Sequence, residues 1–98
     1  MSEATQAEYK FLVILDNQSR TTRAIKEICE ASFKSGNDLF PVLLCTELGT
    51  NQHPYLQATI LRKADRSRRA LQIPHDAVLA IFELGDREDP RTIGFVGA

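Results

Sequence analysis

The chain has 98 residues, an apolar fraction of 43% and a formal net charge of −1. This length predicts one folded domain, and the apolar content excludes a largely disordered chain. The nearly balanced charge gives the whole molecule no strong electrostatic preference, and no apolar run approaches the roughly 20 residues that a membrane-spanning helix needs. Residues 1–8 are polar and predict a disordered tail, followed by a single domain over residues 9–98.

The first half of the chain predicts a strand, a helix and a second strand. Residues 11–15 are continuously apolar, which is typical of a strand covered on both faces. Apolar residues recur at helical spacing over residues 20–34, and Gly36 is typical of a helix stop. Residues 39–46 predict another buried strand. Pro41 lacks an N–H donor, so it should lie near the start of this strand, or the strand should be at an edge of the sheet.

The second half predicts a helix followed by two strands. Pro54 suits a first helical turn, and the helix ends before Pro74. Residues 77–82 and 92–96 predict strands joined as a hairpin. The second helix is predicted from a stripe of residues at three- and four-residue steps: Leu56, Ile60, Ala64, Ser67 and Leu71. The predicted order β-α-β-α-β-β is an α/β fold with a four-stranded mixed sheet and two helices, the first βαβ unit being parallel.

Three stretches give this order a family resemblance. Residues 77–85 (AVLAIFELG) and 91–98 (RTIGFVGA) resemble the third and fourth strands of thioredoxins. Residues 17–25 (NQSRTTRAI) resemble the loop and helix start of the circadian clock protein KaiB and the KaiB-like sensor domains. The resemblance implies a thioredoxin-like fold that lacks the last helix.

The resemblance also implies a redox-inactive domain. Redox thioredoxins carry Cys-x-x-Cys between the first strand and the first helix, where this chain has Asn17, Gln18, Ser19 and Arg20. These side chains cannot exchange disulfides, so the resemblance implies a non-catalytic module that docks to another protein and needs no cofactor.

The two cysteines and two histidines do not form a chemical motif in the sequence. Cys29 falls on the apolar face of the predicted helix and Cys45 in a predicted strand, so both are interpreted as buried hydrophobic residues. A thiol-disulfide oxidoreductase using Cys29 or Cys45 remains the enzymatic alternative. His53 and His75 lack partners at ligand spacing, so no metal site is predicted. Two cysteines are too few for a disulfide scaffold, which favours the cytoplasm.

Polar residues follow the first predicted strand, at the sheet edge where α/β proteins bind ligands. Asp16, Asn17, Ser19 and Arg20 are therefore a candidate site for a small polar ligand. The same residue types also serve as turn and cap residues, and that alternative stays open.

A basic run is the candidate partner-binding face: Arg62, Lys63, Arg66, Arg68 and Arg69. On the predicted helix Arg62, Arg66 and Arg69 share one face, which suits an acidic protein surface. Five acids between Asp76 and Asp89 make the molecule dipolar, so a homo-oligomer is a further alternative. Nucleic-acid binding is disfavoured because no aromatic residues interleave with the basic run, though a solvated face is also compatible with the pattern. The predicted function is protein docking, without a membrane or a metal.

Overall fold

A computed structural model describes residues 9–49, 55–62, 65–85 and 93–97. Their elements, in chain order, are β1 (Phe11–Leu15), α1 (Arg20–Ile25), a 3₁₀ helix (Lys26–Ile28), β2 (Ala31–Ser35), β3 (Asp38–Gly49), β4 (Tyr55–Leu61), β5 (Arg68–Pro74), a second 3₁₀ helix (His75–Ala77), β6 (Val78–Glu83) and β7 (Phe95–Val96). The predicted tail over residues 1–8 lies outside the described residues.

The described strands form one antiparallel sheet built around β1 and β3. The main path runs β5-β4-β3-β1-β6, and β7 joins it through β2. Strand β3 is long enough to hold three neighbours: Val42 pairs with both Ile14 of β1 and Ala31 of β2, while Cys45 pairs with both β1 and β4. Strands β2 and β4 therefore share the edge of β3 that faces away from β1.

The predicted thioredoxin-like α/β fold is wrong, because the second predicted helix consists of two strands and only residues 20–25 of the first are α-helical. The end of the first predicted helix is β2, which pairs with β3 through a two-residue loop at Gly36 and Asn37. Gly36 has a φ of +61° and Asn37 is not left-handed. This combination fits the hairpin turns that begin with glycine, so Gly36 is a turn residue and not a helix stop.

The second predicted helix is the β4–β5 hairpin. Leu56, Ala58 and Ile60 are buried, and the residues between them are more exposed. Leu56 and Ile60 are one helical step apart, yet they are also two strand periods apart, so the same spacing fits both elements. The turn is closed by Asp65, whose Oδ1 accepts hydrogen bonds from the Ser67 backbone N–H (3.1 Å) and hydroxyl (2.7 Å).

The strand predictions hold better than the helix predictions. Strand β1 spans the predicted residues 11–15, and β6 overlaps the predicted strand over residues 77–82. The first two predicted strands are antiparallel neighbours, not members of a parallel unit. The predicted last hairpin is also wrong, because Phe95 of β7 pairs with β2 and not with β6.

A hydrophobic core lies on each face of the central strands. Alternate residues of β1 divide between them, with Val13 and Leu15 on one face and Leu12 and Ile14 on the other. The first core extends over β4 and β5 and is covered by Ile25 and Ile28 from the helical segment. The second core is centred on Phe95. The central strands are therefore buried on both sides, as their apolar runs predict.

The helices among the described residues are short. None of them is long and apolar enough to cross a membrane.

Candidate functional site

The predicted ligand edge at the end of β1 is a turn followed by a helix cap. The Asp16 carboxylate accepts the Gln18 backbone N–H at 2.9 Å, and Asn17 Nδ2 donates to the Leu39 carbonyl at 2.8 Å. Ser19 Oγ accepts backbone N–H groups at the start of α1, from Thr21 at 3.1 Å and Thr22 at 3.4 Å. Asp16 and Ser19 therefore act as turn and cap residues, whereas Asn17 ties the turn to β3. Arg20 is exposed at the first helical position.

The predicted basic face does not exist as a helical stripe. Arg68 pairs with Leu61 and Arg69 with Ile60 on a two-residue repeat, so their side chains leave β5 on opposite faces. Arg62 Nε lies 3.6 Å from Glu30 Oε2, an ion pair that ties the end of β4 to the segment before β2. Arg66 occupies the turn with a φ of 59°, and Lys63 lies outside the described residues. The arginines therefore surround one end of the hairpin.

Both cysteines contact one core, and burial keeps their thiols protonated. Cys45 is fully buried in β3, and Cys29 packs against the same core just after the first 3₁₀ helix, not in mid-helix as predicted. Burial raises the pKa of Cys29 to about 11, partly offset by the nearby Lys26 cation. Burial and the neighbouring Cys29 raise the pKa of Cys45 to about 12. A reactive thiol needs the opposite shift.

The remaining polar candidates are scattered. His75 and Asp76 lie exposed in the second 3₁₀ helix, whereas His53 is outside the described residues. Within the described ranges, no three of the His, Cys, Asp and Glu side chains are close enough to hold a metal ion. The acidic run is described only at Asp76 and Glu83.

An open groove of about 350 Å³ crosses the surface of β3, β4 and β5. Its described lining includes four polar side chains, Glu47, Gln57, Thr59 and Gln72, beside the apolar Leu48 and Leu71. Small-molecule sites are concave pockets that bury most of the ligand, whereas this groove is open, with Glu47 as the one ionisable group among its described lining residues.

The free edge of β6 is the most unusual surface of the described chain. Among the described strands, β6 is the last one on its side of the sheet and pairs only with β1. Leu79, Ile81 and Phe82 are nevertheless 52%, 41% and 38% exposed. Ile81 pairs with Val13 and Phe82 pairs with Leu12. Because neighbouring residues of a strand point to opposite faces, β6 exposes apolar side chains on both faces of the sheet.

The two ends of the main sheet differ in chemistry. The outer strand β5 carries Arg68, Arg69 and Pro74, features by which proteins prevent edge strands from pairing with other chains. Strand β6 has no charge before Glu83 and no proline. Its register with β1 shifts between Ile14 and Leu15, so the regular part of its edge begins at Ala80.

The sequence contained the signal for this surface. Residues 78–82 form a continuous apolar run, the pattern of a strand covered on both faces and along both edges. The structure supplies β1 on one edge only, which leaves the run partly uncovered among the described residues.

Comparison of the chain with protein-family models, curated proteins and solved structures finds no match.

Proposed function

We propose that this protein is a non-catalytic interaction module that binds a protein partner by strand addition to the free edge of β6. The observation that carries the proposal is an apolar edge strand with exposed side chains on both faces. Exposed apolar surface of this kind marks interaction sites, and adding a strand to a sheet edge is a recurring mode of peptide recognition.

The backbone of β6 presents hydrogen-bonding groups to such a partner. The Leu84 N–H donates to the Lys10 carbonyl at 2.9 Å, which fixes the direction of the peptide groups along this edge. Because these groups alternate along a strand, Phe82 and Ala80 also face β1. Ile81 and Glu83 therefore direct their N–H and C=O groups away from the sheet, where an added strand would pair with them.

The side chains of β6 supply the specificity of the proposed site. Ile81 lies on the face of the first core, and Phe82 lies on the face of the second core, 5.5 Å from the Phe95 ring. An added strand with apolar residues on both faces would continue both cores outward. A strictly amphipathic strand would cover only one of them.

A displayed library of ten-residue peptides, selected on the immobilised protein, tests strand addition. We expect apolar, extended peptides to be recovered and to slow amide exchange at Ile81 and Glu83. Ile81→Lys places a charge at the centre of the edge and should abolish this binding. Leu39→Lys is the matched control, because Leu39 is 57% exposed on β3, away from β6. Peptides that bind both variants equally would contradict the proposal.

The basic end of the β4–β5 hairpin is a second proposed docking surface, for an acidic segment. Arg68 and Arg69 support it, because both are exposed and project from opposite faces. Reversing both to Glu should weaken capture of an acidic peptide, and unchanged capture would contradict this assignment.

The protonated thiols give no support to the oxidoreductase alternative, and two unpaired cysteines favour the proposed cytoplasmic location.

A further inference from the structure

We propose that the partner strand is β6 of a second copy of this chain, paired antiparallel about a twofold axis at Ile81. This inference rests on the proposed function, which makes the β6 edge a docking surface. The two sheets would then join into one sheet, in the order β5-β4-β3-β1-β6 followed by the same strands of the second copy in reverse.

The charge pattern favours an antiparallel pair of identical strands. Residues 78–82 are neutral, and Glu83 is the only charged residue of β6. A parallel pair in register would place the two Glu83 side chains side by side, which is destabilising. An antiparallel pair places them at opposite ends of the contact, so no like charges meet.

The side-chain sizes and peptide directions favour the axis at Ile81. In this register Ile81 faces its own copy, and its outward N–H and C=O form a reciprocal pair of hydrogen bonds. Ala80 then lies opposite Phe82 of the second copy on the other face of the sheet, so the smallest side chain faces the largest. This arrangement leaves room for the ring that already contacts Phe95.

The opposite end of the sheet disfavours the competing arrangement. A head-to-tail contact would join β6 to β5 of another copy, where the edge carries Arg68, Arg69 and Pro74. Charged residues and proline oppose added strands. A twofold pair uses the same edge twice and closes, whereas a head-to-tail contact leaves a free edge at each end and propagates.

Disulfide trapping tests the register on the full chain. Residues that form a hydrogen-bonded antiparallel pair have Cα atoms about 5.5 Å apart, within the range that a disulfide spans. Ile81→Cys should therefore give a covalent dimer on mild oxidation. Ala80→Cys is the matched control, because the two copies of residue 80 lie two positions apart in this register. Equal or faster trapping of Ala80→Cys would overturn the axis at Ile81.

Sedimentation velocity from micromolar to submillimolar concentration tests the partner itself. The 11.0 kDa chain should sediment with twice that mass. Ile81→Lys should raise the dimer dissociation constant about a hundredfold or more, because two ammonium groups would face each other at the axis. Leu39→Lys should remain dimeric, and circular dichroism should show that both variants are folded.

The outcomes separate this inference from the proposed function. A monomer at every concentration that still binds selected peptides overturns the second copy and leaves strand addition standing. A monomer that binds no peptide overturns both. A dimer that is unaffected by Ile81→Lys overturns β6 as its interface.

Discussion

The ring of Phe82 lies 5.5 Å from the ring of Phe95, centroid to centroid, at an interplanar angle of 58°. Phe95 in turn lies 4.9 Å from Phe33 at 53°. One buried ring on a two-residue strand therefore connects the edge strand β6 to β2. Tilted aromatic pairs at these distances add to the stabilisation from burial.

Phe95→Ala should strongly destabilise the protein. The side chain is 1% exposed, and its loss leaves a cavity that separates β6 from β2. We expect the free energy of unfolding in urea to fall by about 3–5 kcal/mol. Phe82→Ala is the comparison, since this partly exposed ring should cost clearly less. Equal losses for the two variants would show that Phe95 is not the central residue.

Gly94→Ala should cost more than Gly36→Ala. Gly94 has a φ of +109°, and an added Cβ would lie 3.0 Å from Cε1 of Phe33. Gly36 also has a positive φ, but an added Cβ there meets nothing within 4 Å. Gly36→Ala should therefore cost about 1 kcal/mol from backbone strain alone. Gly94→Ala adds a clash to the strain, and a loss no greater than that of Gly36→Ala would contradict this packing.

Ser19→Ala should destabilise the chain by about 1 kcal/mol in urea unfolding, because it removes the cap of α1. The hydroxyl accepts N–H groups from Thr21 and Thr22, which otherwise have no partner at the helix start. Ser19→Asp should retain most of the stability, because a carboxylate caps equally well. If both variants lose the same amount, a role of Ser19 other than capping accounts for the loss.

The two thiols should make the protein less stable at high pH. The folded-state pKa is about 11 for Cys29 and about 12 for Cys45, whereas the ordinary pKa of a free cysteine thiol is 9.0. The unfolded chain therefore loses protons first, and stability falls as pH rises from about 9 toward these values. Urea midpoints between pH 8 and 11 should decline more steeply for the wild type than for Cys29→Ala/Cys45→Ala.

Thiol titration gives an independent check of the same burial. At pH 8 a thiol with a pKa of about 11 is ionised in roughly one molecule in a thousand, so a disulfide reagent should react slowly with the native protein. Both cysteines should react rapidly in denaturant. Rapid reaction of either cysteine in the folded chain would contradict the raised pKa and revive the oxidoreductase alternative.

The sequence predicts the continuously apolar strands better than the alternating strands of the hairpins. Residues 11–15 are all apolar, so the run alone predicts their strand, without knowledge of which strands pair with it. The β4–β5 hairpin alternates only at Leu56, Ala58 and Ile60, and two of these positions also match a helical stripe. The loop at Gly36 and Asn37 is a hairpin signal, which the apolar spacing of the preceding residues obscured.

The candidate site depends on a fact that no local pattern contains. The run from Val78 to Phe82 predicts a strand, but not its position at the end of the sheet. That position follows from which strands pair with β1, a relationship between distant parts of the chain. The Ser19 cap, by contrast, is a local feature, and the sequence included it as one of two alternatives.

The pairing of Phe11 with Glu83 also sets the order of assembly. Closing so long a segment of chain costs entropy before any contact is gained, so the strand pairs that are adjacent in sequence have the advantage. The β2–β3 and β4–β5 hairpins therefore form early in folding, whereas the β1–β6 pair forms later because its two strands are far apart in the sequence. Refolding should therefore take milliseconds to seconds, and the edge of β1 is the surface that is vulnerable to aggregation until β6 covers it.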